Sequence, residues 1–215
     1  MKILVACEES QAVTIEMRKL GHEAFSCDLI SCSGGHPEWH ILGDCFDAIN
    51  SKCWDMIIMH PPCTAMAVSG NSTYGLNRDK TPKAKHYLRV EAVKWTQKLW
   101  DLATSVCEKV VLENPVGVMN SLGNFPRMKY IHPHQFGHME QKKTGLMLHG
   151  LPLLEPTDDV YEEMMKLPKN ERERLHYLPP SPERAKLRSK TFPGIAKAMA
   201  QQWAGNNLIQ VENAR

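Results

Sequence analysis

The chain has 215 residues, enough for one domain, and its 42% apolar and 23% charged residues are ordinary for a globular protein. A formal net charge of +2 excludes a strongly basic surface all round for binding nucleic acid, but it does not exclude a local basic groove. No apolar run approaches the roughly 20 residues that a membrane-spanning helix needs, so we expect no membrane contact.

Cysteine usage and the opening residues indicate a reducing compartment. The seven cysteines are an odd number without regular framework spacing. The opening MKILVACEES has too short an apolar run for a signal peptide. We therefore expect free thiols and a cytoplasmic protein.

The first part of the chain predicts a strand, a helix and a second strand. Residues 2–6 (KILVA) form a short apolar run. Residues 10–20 (SQAVTIEMRKL) carry apolar side chains at helical spacing before Gly21, and residues 23–28 (EAFSCD) predict the second strand. This βαβ opening is typical of a parallel sheet.

The rest of the chain continues the alternation of strands and helices. The expected elements are a strand at 39–44, a short helix at 45–50, a strand at 54–60, a loop at 64–83, a long helix at about 83–106, a strand at 109–114, two strands within 129–137 and 144–150, a helix at about 158–167 and a last helix within 191–203.

A cysteine follows two prolines at the end of the apolar strand WDMIIMH. Proline fixes the backbone direction, so Cys63 is presented in a defined direction and is expected to be accessible. Cysteine is the most nucleophilic side chain at neutral pH. We interpret Cys63 as a nucleophile, and the alternative is a buried, inert thiol.

Five short blocks, in order, resemble the DNA cytosine-5 methyltransferase family. They are the strand followed by PPC at 61–63, AVSG at 67–70, VVLENP at 110–115, FGHMEQKKTGLMLHG at 136–150 and SKTFPGIAKAMAQQW at 189–203. The resemblance covers most of the chain. It implies an α/β, Rossmann-like class I S-adenosylmethionine-dependent methyltransferase fold, with a mostly parallel sheet flanked by helices in a single domain over 1–215.

The same resemblance implies the reaction, methyl transfer to C5 of cytosine in DNA. Cys63 would add to C6 of the base, which makes C5 able to attack a methyl donor. Glu113 would hold N3 and the exocyclic amine, with Asn114 supporting the loop. For Glu113 the alternative is a carboxylate at the surface.

The block at 136–150 departs from the family's Gln-x-Arg-x-Arg pattern. Gln141 and Lys143 match the glutamine and the first arginine, whereas Gly145 stands in place of the second arginine. Lys143 would hold the pyrimidine O2 or a flanking phosphate, although lysine lacks the planar fork of arginine. The alternative is an ordinary surface charge.

The implied cofactor is S-adenosylmethionine, although the turn after the first strand contains no glycine. A turn without glycine restricts how closely the backbone can approach a ligand. Carboxylates at the ends of the second and third strands match positions that contact ribose and adenine, or they cap loops instead. The cofactor-binding candidates are Cys7, Glu8, Ser10, Asp28, Asp44 and Pro61.

The implied partner is DNA, either duplex or single-stranded. Only about 35 residues, roughly 155–187, separate the last two blocks, so this short insert leaves little room for reading a target sequence. Two basic clusters are expected to face DNA. They are Arg78, Lys80, Lys83 and Lys85, and Arg184, Lys186 and Arg188. A small stand-alone enzyme of this kind is expected in the cytoplasm of a bacterial or phage-infected cell.

Three alternatives stay open from the sequence. One is another C5 modification of a pyrimidine, in a nucleotide or in DNA. A second is an inactive methyltransferase-like protein that binds DNA or a partner. The third is a zinc site, for which the spacing of five residues is near that of metal ligands although the tight Cys-x2-Cys knuckle is missing. Those residues are Cys27, Cys32, His36, His40 and Cys45.

Overall fold

The computed structural model describes residues 1–179 and 181–205. The described strands form one sheet and are β1 (Lys2–Ala6), β2 (Glu23–Asp28), β3 (His40–Leu42), β4 (Met56–Met59), β5 (Val110–Pro115), β6 (Lys129–Ile131) and β7 (Thr144–His149). The described helices are α1 (Ala12–Lys19), α2 (Cys45–Asn50), α3 (Asn71–Tyr74), α4 (His86–Val106), α5 (Met119–Leu122), α6 (Tyr161–Lys166), α7 (Lys169–Arg172), α8 (Arg174–Tyr177), α9 (Pro182–Ser189) and α10 (Pro193–Ala204).

The strand order and directions identify the fold. The order is β3-β2-β1-β4-β5-β7-β6. The strands β3, β2, β1, β4 and β5 are parallel, whereas β7 is antiparallel to both of its neighbours. This is the Rossmann-like class I methyltransferase fold, so the predicted fold class is confirmed.

Apolar residues on both faces of the sheet are covered by helices. One buried cluster joins β1 and β4 to α2 and α4, and includes Leu4, Ile57, Leu99 and Trp100. The other lies under α1 and α10. A sheet covered on both faces explains why β4 is apolar without alternation. Among residues 1–179 and 181–205, no helix combines the length and the apolarity needed to cross a bilayer.

Most predicted elements agree with the structure, and the differences are local. The strands predicted at 2–6 and 23–28 have those bounds. The third strand is shorter than predicted, because Pro37–Trp39 form a 3-10 turn and Asp44 caps α2. The predicted loop at 64–83 contains a 3-10 turn at Val68–Gly70 and then α3. The polar segment at 155–187 contains α6 to α9 rather than one helix.

Backbone hydrogen bonds join the loop after β4 to the loop after β5. Val68 N donates to Val116 O at 2.9 Å, and Val118 N donates to Met66 O at 3.0 Å. Gly117 lies between them, opposite Ala67. A Cβ on Gly117 would lie 2.4 Å from Met66 O, so the close approach of the two loops requires glycine here.

We expect Gly117→Ala to lower the free energy of unfolding by about 1–3 kcal/mol, because the added methyl group forces the two loops apart. Gly43→Ala is the matched control, since a Cβ at Gly43 meets no atom within 4 Å, and should change stability by no more than about 0.5 kcal/mol. Chemical denaturation measures both values. Equal decreases in the two variants would contradict the tight approach.

Candidate active site

Four side chains lie at the carboxyl edge of the parallel strands. His60 directly follows β4, Glu113 lies in β5, and His60 Nδ1 is 3.1 Å from Glu113 Oε2. Lys142 lines a crevice together with Glu113. Cys63 is half-buried and lies within the electrostatic influence of both Glu113 and Lys142. In open α/β sheets this edge is where ligands bind.

The loop that carries Cys63 is fixed mainly through its backbone. Met66 N and Ala67 N donate to Cys63 O at 2.9 and 2.8 Å, which closes a turn directly after the cysteine. The buried Asn114 side chain donates from Nδ2 to Pro61 O at 2.9 Å. The thiol of Cys63 is therefore held beside the end of β5.

A buried arginine on α4 holds the same loop from the other side. Arg89 Nε donates to Ala65 O at 2.6 Å, and Nη2 donates to Ala67 O at 3.2 Å. Its Nη1 donates to Asn71 Oδ1 at 2.8 Å. The guanidinium thus gives Ala65 O a hydrogen-bond donor and adds a second donor to Ala67 O, which also accepts from Gly70 N at 3.0 Å.

Opposing charges act on the Cys63 thiol. Burial raises its pKa above the ordinary value, and the carboxylate of Glu113 raises it further. Lys142 and Arg188 lower it, although they do not outweigh the first two causes. The thiol is therefore largely protonated at neutral pH.

His60 and Glu113 form a buried ion pair. Burial alone would lower the pKa of His60, but the hydrogen bond and charge of Glu113, with a further contribution from Glu8, raise it overall. Burial alone would raise the pKa of Glu113, but His60 and Lys142 lower it overall. Both shifts favour an imidazolium beside a carboxylate at neutral pH.

The lysine beside Glu113 is Lys142, one residue before the one singled out by sequence. Lys143 is exposed and its Nζ lies over the Tyr130 ring, 4.2 Å from the centroid. Gln141 is exposed as well. The structure therefore brings Cys63 and Glu113 together and places Gln141 and Lys143 away from the crevice.

The glycine-free turn after β1 adopts backbone conformations that glycine usually supplies. Cys7 has φ of 59° and Gln11 has φ of 57°, both in the left-handed region. The buried Glu8 carboxylate accepts hydrogen bonds from Val13 N at 2.6 Å and Thr14 Oγ1 at 2.7 Å, and so caps α1. The half-buried Ser10 lies in the same turn.

The two aspartates proposed for the cofactor lie at the ends of β2 and β3. Asp28 is half-buried, and its Oδ1 accepts from Ile30 N at 3.3 Å. Asp44 is exposed and accepts from Phe46 N at 2.7 Å as the cap of α2. Pro61 is buried and lies two residues before Cys63 in the sequence. Cys7, Asp28 and Pro61 thus lie at adjacent strand ends, on β1, β2 and β4.

The segment between α9 and α10 covers the crevice at Glu113. The cavity measures only about 10 Å³, and residues 189–192 contribute to its wall. Lys142 Nζ donates to Arg188 O at 2.8 Å, and Lys186 Nζ lies 3.6 Å from Glu9 Oε1. The helix α9 therefore spans from the turn after β1 to the crevice.

Two further features lie outside this site. A shallow depression of about 480 Å³ near Arg18 and Trp39 lies at the amino side of the strands, where this fold does not bind ligands. In the part of the chain that the structure describes, no cluster of three or more His, Cys, Asp or Glu side chains is arranged to hold a metal ion. Of the zinc candidates, His40 Nδ1 instead lies 2.8 Å from Ser26 Oγ.

Comparison with known proteins gives similarity in fold. No protein-family model matches the chain, and no curated protein matches it. One similar solved structure is a protein encoded within an E. coli prophage and assigned as a DNA modification methyltransferase, with 10% identity, a TM-score of 0.45 and coverage of 74% of this chain and 51% of that chain. Another is a mutant of Spodoptera frugiperda DNMT2, with 17% identity, a TM-score of 0.41 and coverage of 71% and 52%. The chain thus spans about half the length of these two structures.

Sequence reasoning missed three residues of this site. His60 precedes the two prolines directly, and its position at a strand end was the available signal. Lys142 is next to Lys143, the lysine that the sequence pattern indicated. Only the path of the chain before β7 determines which of the two lies beside Glu113. Arg89 gave no signal, because a charged residue on a long helix is ordinarily exposed.

We expect Arg89→Met to lower the free energy of unfolding by about 1–3 kcal/mol, because Ala65 O and Asn71 Oδ1 lose their donor and Ala67 O keeps only Gly70 N. The loosened loop should also expose Cys63, so that its alkylation by iodoacetamide becomes faster. Lys98→Met, on the exposed face of the same helix, is the control and should change neither value. Peptide mass analysis assigns the alkylated cysteine. Unchanged Cys63 reactivity in the Arg89 variant would show that the loop does not depend on the guanidinium.

Proposed function

We propose that the protein methylates C5 of cytosine in DNA, using S-adenosylmethionine and a covalent bond between Cys63 and C6 of the base. One observation carries this proposal: a cysteine and a paired carboxylate lie on adjacent strand ends, at the ligand-binding edge of a class I methyltransferase sheet. Addition to a pyrimidine ring requires a nucleophile and an acidic group that can both reach the base.

Cys63 supplies the nucleophile in this reaction. Its thiolate adds to C6 and forms the S–C6 bond, while the electrons of the C5–C6 double bond move toward C4 and N3. C5 then becomes able to take a methyl group. Loss of the C5 proton to solvent afterwards re-forms the C5–C6 double bond and breaks the S–C6 bond. The released Cys63 thiolate takes up a proton from solvent, which returns the residue unchanged.

Glu113 and Lys142 hold the base during the addition. Glu113 contacts N3 and the exocyclic amine, so that negative charge developing at N3 is met by an acidic partner. Lys142 and Lys190 both line the crevice, and Lys142 is the lysine whose charge acts on Glu113. We therefore assign to Lys142 the contact with the pyrimidine O2 or a flanking phosphate that the sequence pattern assigned to Lys143.

The residues at the ends of β1, β2 and β4 fit S-adenosylmethionine. The left-handed backbone at Cys7 provides the sharp turn that glycine gives elsewhere. Asp28 carries an available carboxylate oxygen at the position suited to ribose hydroxyls. The cofactor supplies an electrophilic methyl group when bound. Its positive sulfonium charge would also favour the thiolate form of Cys63.

Entry of a base requires the segment over the crevice to move. A cavity of about 10 Å³ is too small for a pyrimidine ring, and a target base must be flipped out of its stack to reach it. The contacts of α9 with Lys142 and Glu9 would be exchanged for contacts with DNA. Two basic residues of α9, Lys186 and Arg188, are thereby placed at the entrance.

The first test uses Cys63→Ser and a cytosine without a C5 proton. With labelled cofactor and DNA, digestion to nucleosides should give 5-methylcytosine for the wild type and at least about 100-fold less for the variant, because a serine hydroxyl is far less acidic than a thiol. DNA containing 5-fluorocytosine should trap the wild type as a denaturant-resistant adduct, and only when cofactor is present.

The matched control is Cys53→Ser, at an exposed cysteine, which should methylate and form the adduct as the wild type does. An adduct that maps to another cysteine would contradict the assignment. Methylation of deoxycytidine monophosphate but not of DNA would show that the substrate is a nucleotide. Calorimetry without binding of S-adenosylmethionine would indicate a protein that binds DNA or a partner without catalysis.

A second test concerns DNA binding by the loop after Cys63. Arg78, Lys80 and Lys85 are exposed, whereas Lys83 Nζ donates to Asn71 O at 3.1 Å. Changing the three exposed residues to Gln should reduce the slope of log K against log salt by about 0.9 for each DNA phosphate that the variant no longer neutralises. The control is an equal charge change at Lys19, Lys52 and Lys98, away from this loop. Equal slopes in both variants would rule out this surface.

A further inference from the structure

His60 lies between two carboxylates at the edge of the sheet. Its backbone N donates to Ala6 O at 3.0 Å, which ties the residue to the end of β1. Its side chain is 8% exposed, and Nδ1 is 3.1 Å from Oε2 of Glu113, which is 15% exposed. The pair is therefore nearly closed to water, where such a contact is stronger than on the surface.

The second carboxylate is that of Glu8, in the turn after β1. Glu8 is 4% exposed, and its negative charge acts on the imidazole of His60. The charge of His60 acts in turn on Glu8. Glu8, His60 and Glu113 follow or occupy three adjacent strands, β1, β4 and β5, so the row runs from the turn after β1 to the crevice that Glu113 lines.

One nitrogen of His60 has no fixed partner. Among the residues that the structure describes, the buried Nε2 of His60 makes no hydrogen bond. Lys142 also faces the pair, from the segment before β7, and its charge opposes protonation of the imidazole. The groups that act on His60 are thus Glu113, Glu8 and Lys142. Burial raises the pKa of Glu8 itself, against the lowering effects of His60 and of the hydrogen bonds from Thr14 and Val13.

We propose that His60 is a positioning residue for the methyl transfer: it orients Glu113 and stores the proton that Glu113 passes to N3 of cytosine. This inference rests on the function proposed above and deepens it. Neither periodicity nor the family pattern assigns a role to a histidine before the two prolines.

The Cys63 thiol first releases its own proton to solvent, and a separate proton serves N3. As Cys63 Sγ bonds to C6, the C5–C6 electron pair shifts to C4–C5 and the C4–N3 pair moves onto N3. N3 takes a proton from Glu113, which takes one from His60 Nδ1. When the S–C6 bond later breaks, N3 returns the proton by the same route, so His60 and Glu113 end as they began.

The pH dependence follows from the direction of the shift. The pKa of His60 is raised by the two carboxylates against the opposing effect of burial. The stored proton is present below that raised pKa and is lost as pH rises through it. The rate of methyl transfer should therefore fall on the alkaline side at the pKa of His60.

The test compares His60→Asn with the wild type. Asparagine can still donate one hydrogen bond to Glu113 but cannot ionise. We expect the rate of methyl transfer to fall about 100-fold. The decrease in rate at high pH that deprotonation of His60 causes in the wild type should be absent from the variant. His149→Asn, at an exposed histidine, is the control and should keep the wild-type profile. Thermal unfolding of each variant checks that the fold is intact.

A second readout does not depend on activity. NMR titration of the histidine side chains, with His60→Asn assigning the signal, should show His60 titrating above the ordinary histidine value. In Glu113→Gln that upward shift should shrink, because the paired charge is gone. This measurement uses neither DNA nor cofactor.

The outcomes separate the two proposals. An ordinary or lowered pKa of His60 overturns the inference even if the protein methylates DNA. A raised pKa with an unchanged pH profile in His60→Asn also overturns it and leaves His60 as a structural residue. Absence of methyl transfer by the wild type at every pH overturns the proposed function, and the role of His60 in the transfer with it.

Discussion

The register between β4 and β5 is the constraint on which the candidate site depends. Met59 pairs with Leu112 across the two strands, so the next residues along each chain, His60 and Glu113, meet at the same level. Parallel strands keep this level fixed because each is hydrogen-bonded along its length. A shift by one residue would turn the carboxylate to the other face of the sheet and separate the pair.

The antiparallel strand β7 completes the site from the other side. It pairs with β5 so that Thr144 lies opposite Pro115, and the residues just before Thr144 extend past the end of β5. Side chains alternate along an extended chain. Thr144 is buried, Lys143 is exposed, and Lys142 turns inward again. The alternation therefore brings Lys142 rather than Lys143 beside Glu113.

Local sequence predicted the elements well, because each depends on short-range signals. The apolar runs at β1, β2 and β4 and the residue pattern of α4 needed no knowledge of distant contacts. The nearness of Cys63 and Glu113 was predictable because each lies at the carboxyl end of an apolar strand, whereas the roles assigned to them stay predictions. It was not predictable where the outcome depends on register between distant segments, as at Lys142, or on an unusual backbone, as at Cys7. The absence of glycine after β1 predicted a backbone restricted in how closely it can approach a ligand, yet Cys7 adopts φ of 59°, a conformation that glycine usually supplies.

The charges at the site also connect the proposed roles of Cys63, Glu113 and His60. Burial and the carboxylate of Glu113 both raise the pKa of the Cys63 thiol. A proton that moves from His60 to Glu113 removes that negative charge and leaves the neighbouring Lys142 uncompensated. Both changes favour the thiolate. On the proposed mechanism, the proton shift that prepares N3 of the base would therefore also activate the cysteine. Engagement of a base by Glu113 would then be coupled to activation of the nucleophile, and the Cys63 thiol would stay protonated until a base is bound.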